Sequence, residues 1–183
     1  MIMWQRAKRA VSNDTAKRIA DVARAHGAQA VGVFVDEDAS TILDRCNQCG
    51  ITIAQLHGDG ARAGLQVLRG AGLQVVYVQH VTPEGSVQTA MPEGPVDWVL
   101  LDGLQGGSGV ALDWTRLQAP TYASKGWLLA GGLNPNNVAT ALKLSQPAVV
   151  DVSSGVCGPD GLRKDASKIR DFVAGVKQAP VSR

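Results

Sequence analysis

Residues 127–155, WLLAGGLNPNNVATALKLSQPAVVDVSSG, hold two short apolar runs, WLLAGG from Trp127 and AVVDVSS from Ala148, with a helix-like segment between them. Asn134 is a cap-type residue and Pro135 suits a first helical position, so the segment between the runs predicts a helix opening there. Each run ends in small residues, Gly131 and Gly132 after the first and Ser153, Ser154 and Gly155 after the second. Strand, helix and strand in this order make a βα unit, and the glycine and serine ends can bring backbone N–H groups and hydroxyls close to an anion.

The same rhythm runs back through the chain. AVGVFV starts at Ala30, TIAQLH at Thr52, VVYVQHV at Val75 and DWVLLD at Asp97, so that the six starts lie 22, 23, 22, 30 and 21 residues apart. Helix-like segments lie between. NDTAKRIADVARAHG opens with cap-type Ser12 or Asn13, places Ile19, Val22 and Ala23 on one face and ends at Gly27. The runs are nearly continuous in apolar residues rather than alternating, which predicts parallel strands covered on both faces. A leucine-rich solenoid could share the period, but its Leu-x-x-Leu-x-Leu signature is absent.

A doubly wound sheet and a closed barrel remain, and the polar residues separate them. Asp36 and Glu37 end the first run, His57 and Gly58 the second, His80 lies near the end of the third, Asp102 ends the fourth, and Asp151 ends the last with its serines. A doubly wound sheet concentrates its site at one switch point, whereas a barrel gathers it from the C-terminal ends of many strands. The expected fold is therefore α/β, of the (β/α)8 barrel type. Barrel phosphate sites commonly sit on the loops after strands seven and eight. Counting back from Trp127 and Ala148 makes Ala30 the start of strand three, which leaves strand 1, helix 1 and most of strand 2 unaccounted for. At 183 residues the chain is also shorter than the roughly 250 typical of the fold.

Composition sets the outer limits. With 45% apolar and 19% charged residues, a single partial barrel domain over 1–183 is expected. The 18 basic and 16 acidic residues are scattered, which excludes the clustered footprint of a nucleic-acid binder. No apolar run reaches the ~18–20 residues of a membrane span, so a soluble protein is expected. Three cysteines argue for a reducing compartment. Cys46 and Cys49 have C-x-x-C spacing, but no second pair follows and TILDRCNQCG reads as the end of a helix, so no metal site is expected.

QLHGDG, VLLDGLQGGSGVALDW, LLAGGLNPNNVATAL and VVDVSSGVCGPDGLRKDASKIRDFV together resemble the phosphoribosylanthranilate isomerase family of tryptophan biosynthesis, over nearly the whole chain and in the family's order. The GVCGPDG stretch and GWLLAGG are more similar to plant and algal members, so the resemblance implies a plastid location. It also implies a cofactor-free Amadori rearrangement of a small phosphosugar. A general acid opens the furanose ring to a Schiff base, and a general base then removes the proton from the neighbouring sugar carbon.

On matching positions the resemblance makes Asp102 the general acid. It places Arg9 against the anthranilate ring and carboxylate, and Asp151 near the substrate's amine. Gly107, Gly132, Ser153 and Ser154 would hold the phosphate. His57 lies at the mouth of the barrel as a substrate-side support residue. His80 falls where the resemblance implies no requirement, and Asp113 with Trp114 reads as loop and helix-start structure.

One departure stands out. The family begins with a strand close to KICG whose cysteine is the base, and this chain has no such segment; Met1 falls inside the expected strand two, with IMW as its end. The expectation is a chain cut off before its base, with open parallel edges that favour poor folding or homodimerisation. Indole-glycerol-phosphate synthase and the related histidine-pathway isomerase are rivals of the same fold, lacking here a lysine-bearing strand or a second phosphate half. A non-catalytic phosphosugar-binding fragment is the rival of a different class.

Overall fold

A computed structural model of the chain describes residues 1–104 and 112–179. Six parallel strands follow one another in chain order in the sheet: β1 (Val31–Phe34), β2 (Ile53–Leu56), β3 (Gln74–Val81), β4 (Trp98–Gly103), β5 (Trp127–Leu129) and β6 (Val149–Val150). Each falls on one of the runs read from the sequence. The helices are α1 (Asn13–Ala25), α2 (Ala39–Cys49), α3 (Asp59–Ala63), α4 (Leu65–Gly70), α5 (Val138–Ser145) and α6 (Ala166–Gln178). Contacts divide the chain into two compact units, Met1–Val78 with Met91–Trp98, and Gln79–Ala90 with the described residues from Val99 onward.

In the first unit, β1 pairs with β2 from Val31↔Ile53 to Phe34↔Leu56, and β2 with β3 from Ile53↔Gln74 to Leu56↔Tyr77. The N-terminal residues run alongside β1. Met3 N donates to Val33 O at 2.9 Å, and Val33 N donates to Met1 O at 2.9 Å, as a strand end at IMW requires. Local chemistry sets the helix ends. Ser12 Oγ accepts from Thr15 N at 3.2 Å to open α1, Asp38 Oδ1 accepts from Thr41 N at 2.8 Å to open α2, and Gly50 in the left-handed region (φ 66°) closes it. Cys46 and Cys49 are buried on α2, and burial pushes the Cys46 thiol up to about 12. At the start of β4's run, Asp97 is 8% exposed and accepts from the Arg69 guanidinium and from Val75 N.

The apolar face expected of α1 is corrected: Ala16 and Ala20 are buried, while Ile19 is 41% and Val22 61% exposed. Small side chains on the inner face let α1 lie close to α2, and the larger ones are turned outward.

In the second unit, β4 pairs with β5 from Val99↔Trp127 to Leu101↔Leu129, and β5 with β6 at Leu128↔Val149 and Leu129↔Val150. Among the described residues, two connections lack the expected helix. Residues 82–97 carry none, because Pro83, Gly85, Pro92, Gly94 and Pro95 interrupt them; the segment opens with a turn in which Thr82 N donates to Ser86 O at 2.9 Å. Residues 112–126 carry none either: Asp113 there closes a turn by accepting from Thr115 N at 3.1 Å, which corrects the helix start expected at Asp113 and Trp114.

Candidate active site

The site is built at the C-terminal ends of β4, β5 and β6. Asp151 N donates to Leu129 O at 2.8 Å where Leu129 pairs with Val150, so an N–H one residue beyond the pair closes each rung. By the same offset, Leu104 N to Val81 O at 3.1 Å sets Val81 opposite Gly103, and Ala130 N to Leu101 O at 2.8 Å continues the β4–β5 register. His80, Asp102, Ala130 and Asp151 therefore form one row across β3, β4 and the ends of β5 and β6. Register partners in a parallel sheet point their side chains to the same face. Ala130, 4% exposed, contributes only a methyl group, so the carboxyls of Asp102 and Asp151 face a shared gap.

Asp102, Gly132, Asp151, Ser153 and Ser154 line one open cleft with Ala130, Gly131, Leu133 and Val152. Burial, together with the neighbouring Asp151 carboxylate, pushes the Asp102 carboxyl up to about 6; His80 and the Gly103 N–H pull the other way. Burial also raises Asp151. A carboxyl that keeps its proton up to about pH 6 can donate it, and a second one beside it can accept hydrogen bonds from an amine.

Glycine is required along the cradle above this row. Gly131 has φ 85°, and a Cβ there would lie 2.9 Å from Gly103 N and 3.4 Å from Asp102 Oδ1. A Cβ on Gly155 would lie 1.9 Å from Leu133 O. The β5 loop is tied by asparagines: Asn137 Nδ2 donates to Gly132 O at 3.0 Å, Asn137 Oδ1 accepts from Asn134 N at 2.8 Å, and Asn134 Oδ1 accepts from Asn136 N at 2.9 Å. These bonds correct the expected helix start. Asn134 caps a turn rather than the helix, and α5 begins at Val138 instead of Pro135. On the β6 side, Lys164 Nζ donates to Ser153 O at 2.7 Å, and Cys157, 1% exposed, donates its thiol to the same carbonyl at 3.4 Å.

Five of the eight residues singled out from the sequence thus meet in one cleft. Arg9 and His57 belong to the first unit. Arg9 is half-buried in the turn after the N-terminal strand segment. His57 is half-buried at the end of β2, its N–H bonded to Phe34 O at 2.8 Å and its carbonyl accepting from Arg62 at 2.9 Å; burial and then Arg62 hold its imidazole below the usual range. Gly107 lies outside the described residues. Sequence reasoning missed the position of His80 opposite Asp102. The register that creates it could not be read without the β3–β4 pairing.

Parallel strands with a pair of carboxyls on their C-terminal ends and glycine and serine on the last two loops define an α/β protein of the (β/α) barrel class. The chain belongs to the N-(5'-phosphoribosyl)anthranilate isomerase family, whose model matches residues 1–175. It is 44% identical over 181 residues to the chloroplastic N-(5'-phosphoribosyl)anthranilate isomerase 1 of Arabidopsis thaliana, covering 97% of this chain and 66% of that protein. The chain thus spans about two thirds of the length of that plant relative. The phosphoribosyl anthranilate isomerase of Thermus thermophilus superposes with a TM-score of 0.80 at 27% identity, over 98% of this chain and 87% of that one. A phosphoribosyl anthranilate isomerase in complex with reduced 1-(o-carboxyphenylamino)-1-deoxyribulose 5-phosphate superposes with a TM-score of 0.71 at 27% identity, over 97% and 85%.

Proposed function

We propose that this chain carries out the acid and phosphate-binding part of phosphoribosylanthranilate isomerisation in tryptophan biosynthesis. The supporting observation is the row that sets Asp102, its carboxyl pushed up to about 6, under the Gly132, Ser153 and Ser154 cradle. Asp102 gives its proton to the furanose ring oxygen. The ring C–O bond breaks as the amine nitrogen's lone pair forms the C=N bond of the Schiff base. Asp151, one gap away, accepts from the substrate's amine side. Ser153 and Ser154 donate hydroxyls to the phosphate, with Gly132 allowing close approach; Gly107 keeps the same role on the strength of the family match.

Arg9 suits the anthranilate carboxylate and ring, since a guanidinium both pairs and stacks. His57, bonded into the end of β2 and held neutral, supports the site rather than transferring protons. The second step, loss of the proton from the neighbouring sugar carbon, needs a base. Cys46, Cys49 and Cys157 are all buried and none serves. The similarity to the plant protein supports a plastid location, and among the described residues no helix is long and apolar enough to cross a membrane. Val149, 39% exposed on β6, suits a homodimer contact.

Titration of the chain with reduced 1-(o-carboxyphenylamino)-1-deoxyribulose 5-phosphate tests this reading. Binding is expected, within severalfold in Asp102→Asn but weaker by more than about tenfold in Ser154→Asp, where a carboxylate meets the phosphate and a donor is lost. No binding by the chain, or binding indifferent to Ser154→Asp, would contradict it.

A further inference from the structure

We propose that His80 is a positioning residue that governs proton release from Asp102, through the charge of an imidazole held opposite the carboxyl on the neighbouring strand. This rests on the reading of Asp102 as the acid. The register that follows from Leu104 N to Val81 O, 3.1 Å, places the two side chains as direct partners on one face of β3 and β4. Neighbouring strands lie only about 4.8 Å apart, so side chains of register partners on one face are close enough for one charge to act on the other.

The imidazole is held in place from its own side. Thr89 Oγ1 accepts from His80 N at 2.9 Å and lies 3.4 Å from His80 Nδ1, while Gln88 N donates to His80 O at 2.8 Å. The segment after β3 thus folds back over His80 and sets the Thr89 hydroxyl beside its ring. That segment has no helix, for the reasons given above, and its turn makes the contact.

Among the described residues, Asp151 and His80 are charged groups acting on Asp102, with the Gly103 N–H adding a dipole. Asp151 opposes ionisation of Asp102; His80 favours it. When Asp102 gives its proton to the ring oxygen, the carboxylate left behind faces a second carboxyl across Ala130. An imidazolium on the other side stabilises that carboxylate, whereas a neutral imidazole lets it take a proton back from solvent. Histidine has its ordinary pKa in the range where such a switch operates.

The test is a ¹³C NMR titration of the aspartate carboxyls in the 183-residue chain, with the Asp102 signal assigned by its loss in Asp102→Asn. His80 is half-exposed, so His80→Gln and His80→Lys are tolerable substitutions. Relative to the unsubstituted chain, the Asp102 midpoint is expected to rise in His80→Gln, which removes the cation, and to fall in His80→Lys, which makes it permanent. A merely structural histidine would not give shifts of opposite sign. In Thr89→Val, the second inflection that His80 imposes on the Asp102 curve is expected to shrink. Midpoints unchanged in both His80 variants, or shifted in the same direction, overturn the inference while leaving Asp102 as the acid. A midpoint near 4 in the unsubstituted chain overturns the acid reading itself.

Discussion

Asp97 and Asp102 lie five residues apart, and both are carboxylates in apolar surroundings, yet the chain treats them oppositely. Asp97 is met by the Arg69 guanidinium and the Val75 N–H, so its charge is compensated where it is buried. Asp102 faces another carboxyl, and burial moves it up to about 6. A buried acid that serves the fold is given a cation, and one that serves chemistry is kept ready to hold a proton. The difference follows the two ends of barrel strands, where the N-terminal end serves stability and the C-terminal end the reaction.

Substitutions at the two aspartates should separate these roles. With a base supplied by fusing a relative's first strand to the chain, Asp102→Asn removes the proton donor and is expected to lower isomerase turnover by about 10²–10⁴-fold, the usual worth of a general acid, read from the loss of anthranilate fluorescence. Asp97→Asn leaves Arg69 facing a neutral amide. It should lower the unfolding free energy by about 3 kcal/mol in urea titration, with ligand affinity unchanged. If Asp97→Asn weakened ligand binding as much as stability, the contrast between the two ends would fail.

Gly155→Ala sharpens the contrast at the cradle. A Cβ 1.9 Å from Leu133 O forces the β5 and β6 loops apart, with an expected stability loss of about 1–3 kcal/mol and weaker binding of the reduced aminoketose phosphate by calorimetry. The smallest effect belongs to a position that takes no part in the contrast. Ser12→Ala removes the α1 cap and should cost about 1 kcal/mol in thermal or urea unfolding, with no change in ligand affinity.

The strands were legible because their apolar runs are long and interrupted only at glycine and polar ends. Ser12 and the helical reading of TILDRCNQC were legible through local signals that tertiary structure left alone. Ile19 and Val22 misled because periodicity reports an apolar face without saying which side of it the neighbour takes; Ala16 and Ala20 won by allowing closer approach. The Asn134–Pro135 helix start misled because the same residues also make a turn, and hydrogen bonds from Asn137 to Gly132 and Asn134 decide for the turn. In the cleft, Asp102, Asp151 and the glycine and serine ends were readable from the family match. The pairing of His80 with Asp102 depends on strand register and was not.

The most direct test of the central claim is the unfolding free energy of the chain and of Asp102→Asn across pH. The folded carboxyl moves from 3.8 to about 6, so the native state holds a proton that the unfolded chain releases between those values. Stability attributable to Asp102 therefore falls as pH rises through that window. A shift of roughly 2 units at 1.36 kcal/mol each sets an upper limit of about 3 kcal/mol. The asparagine variant, which has no proton to lose, is expected to gain about 1–3 kcal/mol on the unsubstituted chain between pH 4 and 7. A gap that stays constant with pH, or that shrinks as pH rises, would contradict an Asp102 that keeps its proton for the reaction.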